Sequence, residues 1–346
     1  MKEQRSGLSV SVAMATYNGA RFLREQLDSI AAQSRLPAEL VVSDDGSTDD
    51  TLAILADFAH TAPFPVRVMP PHARLGFADN FLHAAEACRG DLVAFADQDD
   101  QWLPDKLART AGRVEADDSL LAIHPLVVTD ATLEPTGLVW HQGIDADRVV
   151  APLDLNPYLT GFGNSMLVRR DVLAAIPRDR RPAQPDQPHL PLAHDHWVYT
   201  LAAALGRVSY VAAPLLRYRQ HGNNTYGVKP RSLRNRLYSA VTIPEERFRQ
   251  EARFNARVAD LLAALGGEET PFAAPAARAT ATYRQRAFLC EQRLLTYDAP
   301  RLADRLVAFR SSRSVPFYRP WIGSSIKEAV FGVAGLGRWV GREVRR

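Results

Sequence analysis

Strand-like and helix-like segments alternate without a break over the first hundred residues, and that order leaves few folds open. Residues 8–15 set Val10, Val12 and Met14 on one side and small residues on the other, the period of a strand. Residues 21–33 carry Phe22, Leu23, Leu27 and Ile30 at helical spacing. Residues 40–43 read as a strand, 51–60 as a helix, 66–69 as a strand, 77–88 as a helix and 91–96 as a strand. Alternation of this kind dictates a mostly parallel sheet with right-handed crossovers and helices on both faces. The expected class is therefore α/β and Rossmann-like.

In such sheets ligands bind beyond the carboxyl ends of the strands. Three polar clusters fall there: Thr16-Tyr17-Asn18 after the first strand, Asp44-Asp45 after the second and Asp97-Gln98-Asp99-Asp100 after the fourth. The last packs three carboxylates into four residues, which repel one another unless something neutralises them. A hard divalent cation does that, and Mg²⁺ takes one or two carboxylates together with substrate phosphates. A solvated acidic turn that caps the next helix is the plainer alternative. For Asp44-Asp45-Gly46-Ser47-Thr48-Asp49, a Ser47 or Thr48 cap on the following helix explains the hydroxyls but not the paired aspartates. Those suit a base or a ribose at the sheet edge.

The pattern loosens after residue 107. Residues 120–129 read as one more strand. Five prolines between Pro177 and Pro191 mark a loop. His194-Asp195-His196-Trp197 then opens a helix over residues 195–205, where Asp195 can cap the helix, act as a general base, or do both. Residues 208–212 and 215–218 read as extended, followed by the polar block Tyr218-Arg219-Gln220-His221-Gly222-Asn223-Asn224. From residue 232 the chain is Arg- and Ala-rich with helical periodicity, broken near Gly266-Gly267 and Pro271. The expected division is a catalytic domain over 1–228, with halves at about 1–110 and 111–228, and a basic, mostly helical region over 229–346.

Composition narrows the classes further. From residue 230 on there are 21 Lys and Arg against 11 Asp and Glu, a net of +10, which leaves −7 for the first 229 residues. An acidic front half excludes nucleic acid as the partner. The basic back half suits either anionic lipid or a solvated helical surface. Two distant cysteines, Cys88 and Cys290, make neither a zinc site nor a disulfide framework. With no signal-peptide pattern and no long apolar span, the expected location is the cytosol. The tail from Trp321 to Arg346 mixes Trp321, Phe331 and Trp339 with flanking arginines. It suits docking on the inner face of a membrane, packing on the catalytic domain, or a homodimer contact.

Taken in order and spacing, four segments resemble the GT-A domain of family 2 glycosyltransferases: Met14-Ala-Thr-Tyr-Asn18, Val42-Ser-Asp-Asp-Gly-Ser-Thr-Asp49, Gly76-Phe-Ala-Asp-Asn80 and Phe95-Ala-Asp-Gln-Asp-Asp-Gln-Trp-Leu-Pro-Asp-Lys106. The likeness covers about residues 8–225. With His194-Asp-His-Trp197 and Tyr218-Arg-Gln-His-Gly-Asn-Asn224 it is similar to the rhamnosyltransferases of bacterial polysaccharide assembly. Ala15 stands where the family often has proline.

The resemblance implies an inverting enzyme that moves a sugar from a nucleoside diphosphate to an acceptor hydroxyl of a glycan or lipid-linked glycan. It implies Thr16, Tyr17, Asn18, Asp45, Asn80 and Asp97 as nucleotide contacts, with Tyr17 and Asp45 at the base and Asp97 at the ribose. It implies Asp99 and His221 at a Mg²⁺ or Mn²⁺ on the diphosphate, and Asp195 as the base. It implies Trp102, Gly163, Asn164, His194, Trp197, Arg219 and Gln220 as substrate contacts, with residues 161–164 near the sugar. The implied donor is dTDP-L-rhamnose first, and a UDP-hexose or UDP-N-acetylhexosamine second. A catalytically dead nucleotide-binding scaffold of the same fold is the rival from another class. A nucleotidyltransferase would carry a Gly-rich phosphate loop, which Thr16-Tyr-Asn-Gly-Ala20 is not.

Overall fold

The computed structural model describes residues 7–70, 73–141, 144–154, 162–185, 187–222 and 245–313. Gly161, Asn223, Asn224 and the 321–346 tail, all singled out above, lie outside these described residues.

The chain divides into two compact units. The first comprises residues 1–181 and 192–227. It begins β1 (Val10–Thr16), α1 (Ala20–Ala31), β2 (Glu39–Asp44), α2 (Thr51–Thr61), β3 (Val66–Val68), α3 (Phe77–Glu86) and β4 (Leu92–Ala96). The alternation read from the sequence is thus present element by element, with ends differing by a few residues. β1 pairs in parallel with β2 on one side and β4 on the other, and β2 pairs in parallel with β3. Val12, Met14, Leu40, Val42, Leu92 and Phe95 are fully buried. Every residue of β1 is buried, as befits a central strand covered on both faces.

After β4 come β5 (Gln101–Trp102), α4 (Lys106–Asp117), β6 (Leu121–Ile123), β7 (Leu126–Thr129), β8 (Pro135–Trp140), β9 (Arg148–Val150), β10 (Met166–Arg169), α5 (Arg170–Ala174), α6 (His194–Leu205), β13 (Val208–Tyr210) and β14 (Leu216–Arg219). The main sheet runs β3-β2-β1-β4-β10-β6-β13-β9, and a four-stranded sheet runs β5-β14-β7-β8. β10 enters antiparallel between β4 and β6, so the large sheet is mainly parallel at its first end and mixed beyond.

The single strand expected over 120–129 is in fact two, in different sheets. His124-Pro125 separates them: Pro125 has no N–H to donate to a ladder. Its carbonyl instead accepts the Leu215 N–H and faces His124 Nδ1 at 2.7 Å.

The second unit comprises residues 182–191 and 228–346. It holds the hairpin of β11 (Ala183–Gln184) and β12 (Gln187–Pro191) and three helices, α7 (Glu245–Gly266), α8 (Ala273–Asp298) and α9 (Leu302–Arg313). The proline-rich stretch expected as a loop therefore includes a hairpin, with a 3-10 turn at Arg178–Arg180 before it. A two-stranded ribbon has unpaired outer edges, where proline costs no ladder bond. The sequence division placed residues 182–191 with the catalytic domain; here they group with the helices. α7 and α8 pack through Phe248, Phe254, Leu262, Tyr283 and Tyr297, all buried. Among the described residues no helix is long and apolar enough to cross a membrane.

Candidate active site

The carboxyl ends of β1, β2 and β4 meet in a hydrogen-bonded frame. Thr16 Oγ1 donates to Asp44 Oδ2 at 2.7 Å. Asp44 Oδ1 also accepts the Ser47 and Gly46 N–H groups, closing a turn in which Gly46 has φ +85°. The Ser47 hydroxyl donates back to Asp44 at 2.6 Å, so it is not the helix cap the sequence suggested. α2 starts later, at Thr51, whose N–H and hydroxyl both reach Asp49. Asn18, at φ +48°, donates its N–H to Ser47 Oγ and accepts the Thr48 N–H on Oδ1.

Asp45 is buried and does a different job from Asp44. Its carboxylate takes the N–H groups of Leu75 and Gly76 at 2.6 and 2.8 Å, with Arg74 Nε 3.8 Å away. It thereby fixes the turn that leads into α3. The Arg74 guanidinium lies 4.1 Å from the centre of the Tyr17 ring, which is 40% exposed. Asn80 is buried, with its Nδ2 donating to the Thr16 carbonyl at 3.3 Å. Of the six nucleotide contacts expected from the sequence, Tyr17 and Asn18 present exposed side chains at this edge; Thr16, Asp45 and Asn80 are buried beneath it.

The sixth, Asp97, is half-buried at the end of β4. Carboxylate oxygens of Asp97, Asp99 and Asp100 lie within 4.8 Å of one another. Asn164, in the 3-10 turn Gly163–Ser165, spans two of them, its Nδ2 donating to Asp97 at 3.0 Å and Asp100 at 2.6 Å. Burial pushes the Asp97 carboxyl up to about 7, helped by the charges of Asp99 and Asp195. Burial raises Asp100 further, and the Arg219 N–H offsets part of this. Asp99 Oδ2 sits 2.9 Å from His221 Nε2, whose ring packs at 4.8 Å on Phe22.

Lys106 is a buried ammonium beneath this cluster, which residue type alone did not reveal. Its Nζ donates to the Asn164 carbonyl and lies 4.2 Å from the centre of the Trp102 ring. Burial lowers its pKa to about 7, while Asp100 and Asp97 pull it back up. Trp102 itself is only 2% exposed. Arg219, expected to touch substrate, is buried too. Its guanidinium donates to the carbonyls of Asp99 and Ala131 and to Glu25, and lies 4.4 Å over the Phe22 ring. It braces the acidic loop from behind. Gln220 donates its N–H to the Thr129 carbonyl, extending β14.

Asp195 stands half-buried in the first turn of α6, near enough for its charge to raise Asp97. Its Oδ1 accepts the N–H of His196 at 2.7 Å. The neighbouring His194 is buried in aromatic rings, stacked on Phe81 at 4.2 Å and tilted on Phe95 at 5.4 Å. Burial lowers its pKa, so the ring is neutral. It also touches Gly163 so closely that a Cβ there would meet Nε2 at 2.3 Å. Trp197 is 2% exposed and belongs to the core. The structure therefore gathers Asp97, Asp99, Asp195, His221, Gly163 and Asn164 into one site. Trp102, His194, Trp197 and Arg219, expected at the substrate, are walled in as its support.

The donor set fits a hard cation. Three carboxylates with oxygens within 4.8 Å of one another, one of them 2.9 Å from an imidazole, form an oxygen-rich centre that an ion such as Mg²⁺ or Mn²⁺ would discharge.

Comparisons with known proteins place the chain among similar sequences and folds. The family described as Glycosyl transferase family 2 matches residues 11–176. An uncharacterized glycosyltransferase of Nostoc sp. is 28% identical over 222 residues, 63% of this chain and 67% of that protein. An uncharacterized protein of Mycobacterium tuberculosis is 25% identical over 226 residues, 63% of this chain and 60% of that protein. The dTDP-rhamnosyl transferase RfbG of Shigella flexneri is 27% identical over 228 residues, 62% and 73% of the two chains. Among solved structures, S. aureus TarS 1–349 in complex with UDP superposes with a TM-score of 0.54 at 16% identity, over 97% of this chain and 92% of that one. Its complex with UDP-GlcNAc gives 0.53 at 17% identity, over 89% and 82%. The fold is the mixed α/β GT-A fold with a helical C-terminal region.

Proposed function

We propose that this chain, which carries a family 2 glycosyltransferase domain over residues 11–176, is an inverting, metal-dependent enzyme that moves a sugar from a nucleoside diphosphate to an acceptor hydroxyl. The observation that carries the reading is a crowded carboxylate triad on one loop with a separate carboxylate, Asp195, within electrostatic reach of it. A dead scaffold has no need of either: each keeps charge close together at a cost in stability.

The roles divide by position. Asp99 with His221 would hold Mg²⁺ or Mn²⁺, and Asp97 would reach the ribose. The ion would offset negative charge on the departing diphosphate. The exposed ring of Tyr17 offers a stacking face for the base, with Arg74 to be displaced from it or to cover it. Asp195 removes the proton of the attacking hydroxyl. A single base and one displacement invert the anomeric carbon. Asn164, clamped by Lys106 from below, keeps Asp97 and Asp100 in place as charge changes above them.

The donor of first choice is dTDP-L-rhamnose, supported by the similarity to RfbG. A UDP-hexose or UDP-N-acetylhexosamine is the second. Calorimetric titration with Mn²⁺ present is expected to give tighter binding of dTDP than of UDP; the opposite order rejects the rhamnosyl donor. The acceptor is a glycan or lipid-linked glycan of the bacterial surface. With such an acceptor, the aromatic and arginine-rich segment 321–346 serves to dock the enzyme on the inner face of the cytoplasmic membrane. The full chain is expected to float with anionic liposomes and a chain ending at Pro320 to stay behind. Equal flotation of the two rejects the segment as anchor.

A further inference from the structure

Gln98 sits between two carboxylates of the acidic loop, yet its side chain turns the other way. Its Oε1 accepts the Tyr17 N–H at 2.9 Å, and its Nε2 donates to the Tyr17 carbonyl at 3.0 Å. One amide thus satisfies both backbone groups of one residue, as a paired strand would. The fit leaves no slack. A Cβ built on Gly19 would lie 2.1 Å from Gln98 Oε1 and 2.5 Å from its Cδ. Gly19 has φ −99°, which any residue adopts, so it is Gln98 and not the backbone that excludes a side chain there. From the other side, Ser47 and Thr48 hold Asn18. The turn 17–19 is therefore fixed by two loops, and Gln98 links it to the triad loop.

We infer that Gln98 is a positioning residue for the donor's nucleoside: it locks the Tyr17 backbone to the Asp97–Asp100 loop, so that the base-stacking ring and the diphosphate site share one rigid frame. The role stands on the nucleotide-sugar reading given above. It makes Gln98 matter for the base and not for the phosphates, although it is flanked by carboxylates of the phosphate site. It also makes Gly19 a specificity residue at one remove.

Calorimetry with three probes separates these contributions: Mn²⁺ with dTDP, with UDP, and with inorganic pyrophosphate, which keeps two phosphates and lacks a base. The proteins are wild type, Gln98→Ala, Gly19→Ala and the double variant. Gln98→Ala is expected to weaken the tighter nucleoside diphosphate by about ten-fold, the scale of two lost neutral hydrogen bonds, and to leave pyrophosphate within about two-fold. Gly19→Ala pushes the end of a flexible side chain off Tyr17 and is expected to give the same loss. The double variant is then no worse than Gln98→Ala alone, because the side chain that the new methyl displaces is gone. Should Gln98→Ala fold poorly in a thermal melt, Gln98→Met keeps the length of the side chain, adds no charge, lacks both hydrogen-bonding groups and is expected to show the same base-selective loss.

Equal weakening of pyrophosphate and nucleoside diphosphate, additive losses in the double variant, or no loss at all would overturn the role. A wild type that binds neither nucleoside diphosphate more tightly than pyrophosphate overturns the donor reading itself, and with it the role built on it.

Discussion

Asp99→Ala is expected to abolish sugar transfer, by at least ~10²-fold, the scale for removing one preorganised charge-stabilising group. It is also expected to remove the metal-dependent tightening of nucleoside diphosphate binding. Geometry sets Asp99 apart from its neighbours. Asp97 and Asp100 are both engaged by Asn164, and Asp100 is fully enclosed. Asp99 faces His221 and keeps its carboxylate at the open side of the cluster. The substitution also relieves repulsion, since the Asp99 charge helps to raise Asp97 and Asp100. The apo variant should therefore melt no lower than wild type, which separates lost function from lost fold. Equal diphosphate affinity in wild type and variant with metal present would show that the cation, if any, is held elsewhere.

Asp195→Asn is expected to bind donor normally and lose turnover by ~10²–10⁴-fold, the range for a general base. The only hydrogen bond described for the Asp195 carboxylate is accepted from its own helix turn, at His196. An asparagine Oδ1 accepts that bond equally well, so the start of α6 survives and only the proton acceptor is lost. Turnover near the wild-type rate, with α6 intact, would leave Asp195 a structural role only: the helix cap expected from the sequence falls at Ala193, and Asp195 sits inside the first turn. Asp195→Ala adds a useful contrast: it removes the turn contact as well, so a melt lower than that of Asp195→Asn measures the structural share.

Much of the fold could be read from the sequence because α/β alternation is a local signal. The strands β1, β2, β3 and β4 and the helices between them follow from hydrophobic period alone. The middle of the chain did not yield in the same way. β8 is exposed along nearly its whole length, so it lacks a buried face to leave an alternating pattern. The break at His124-Pro125 was visible in principle, since proline cannot continue a ladder, but the apolar residues on either side, 120–123 and 126–128, masked it.

The site divides along similar lines. Asp97, Asp99 and Asp195 stood out because charge crowded at a strand end or helix start is costly without a purpose. The separate duties of Asp44 and Asp45 could not be seen. One closes its own turn; the other binds N–H groups some thirty residues away, and only tertiary structure brings those close. Trp102 and Trp197 were expected as substrate contacts from the resemblance, yet burial is not written in residue type, and both are core. Lys106 is the converse. A lysine at the start of a helix reads as a surface charge, and packing under Asn164 makes it a buried counter-ion for the triad.

The most direct measurement is turnover of a panel of nucleotide sugars by the full chain with an acceptor preparation, with and without EDTA, following released nucleoside diphosphate. The account predicts that one donor is consumed, that EDTA stops the reaction, and that excess Mn²⁺ or Mg²⁺ restores it. Folded protein that turns over no donor with metal present would contradict the enzyme reading, and turnover indifferent to EDTA would contradict the role given to Asp99 and His221.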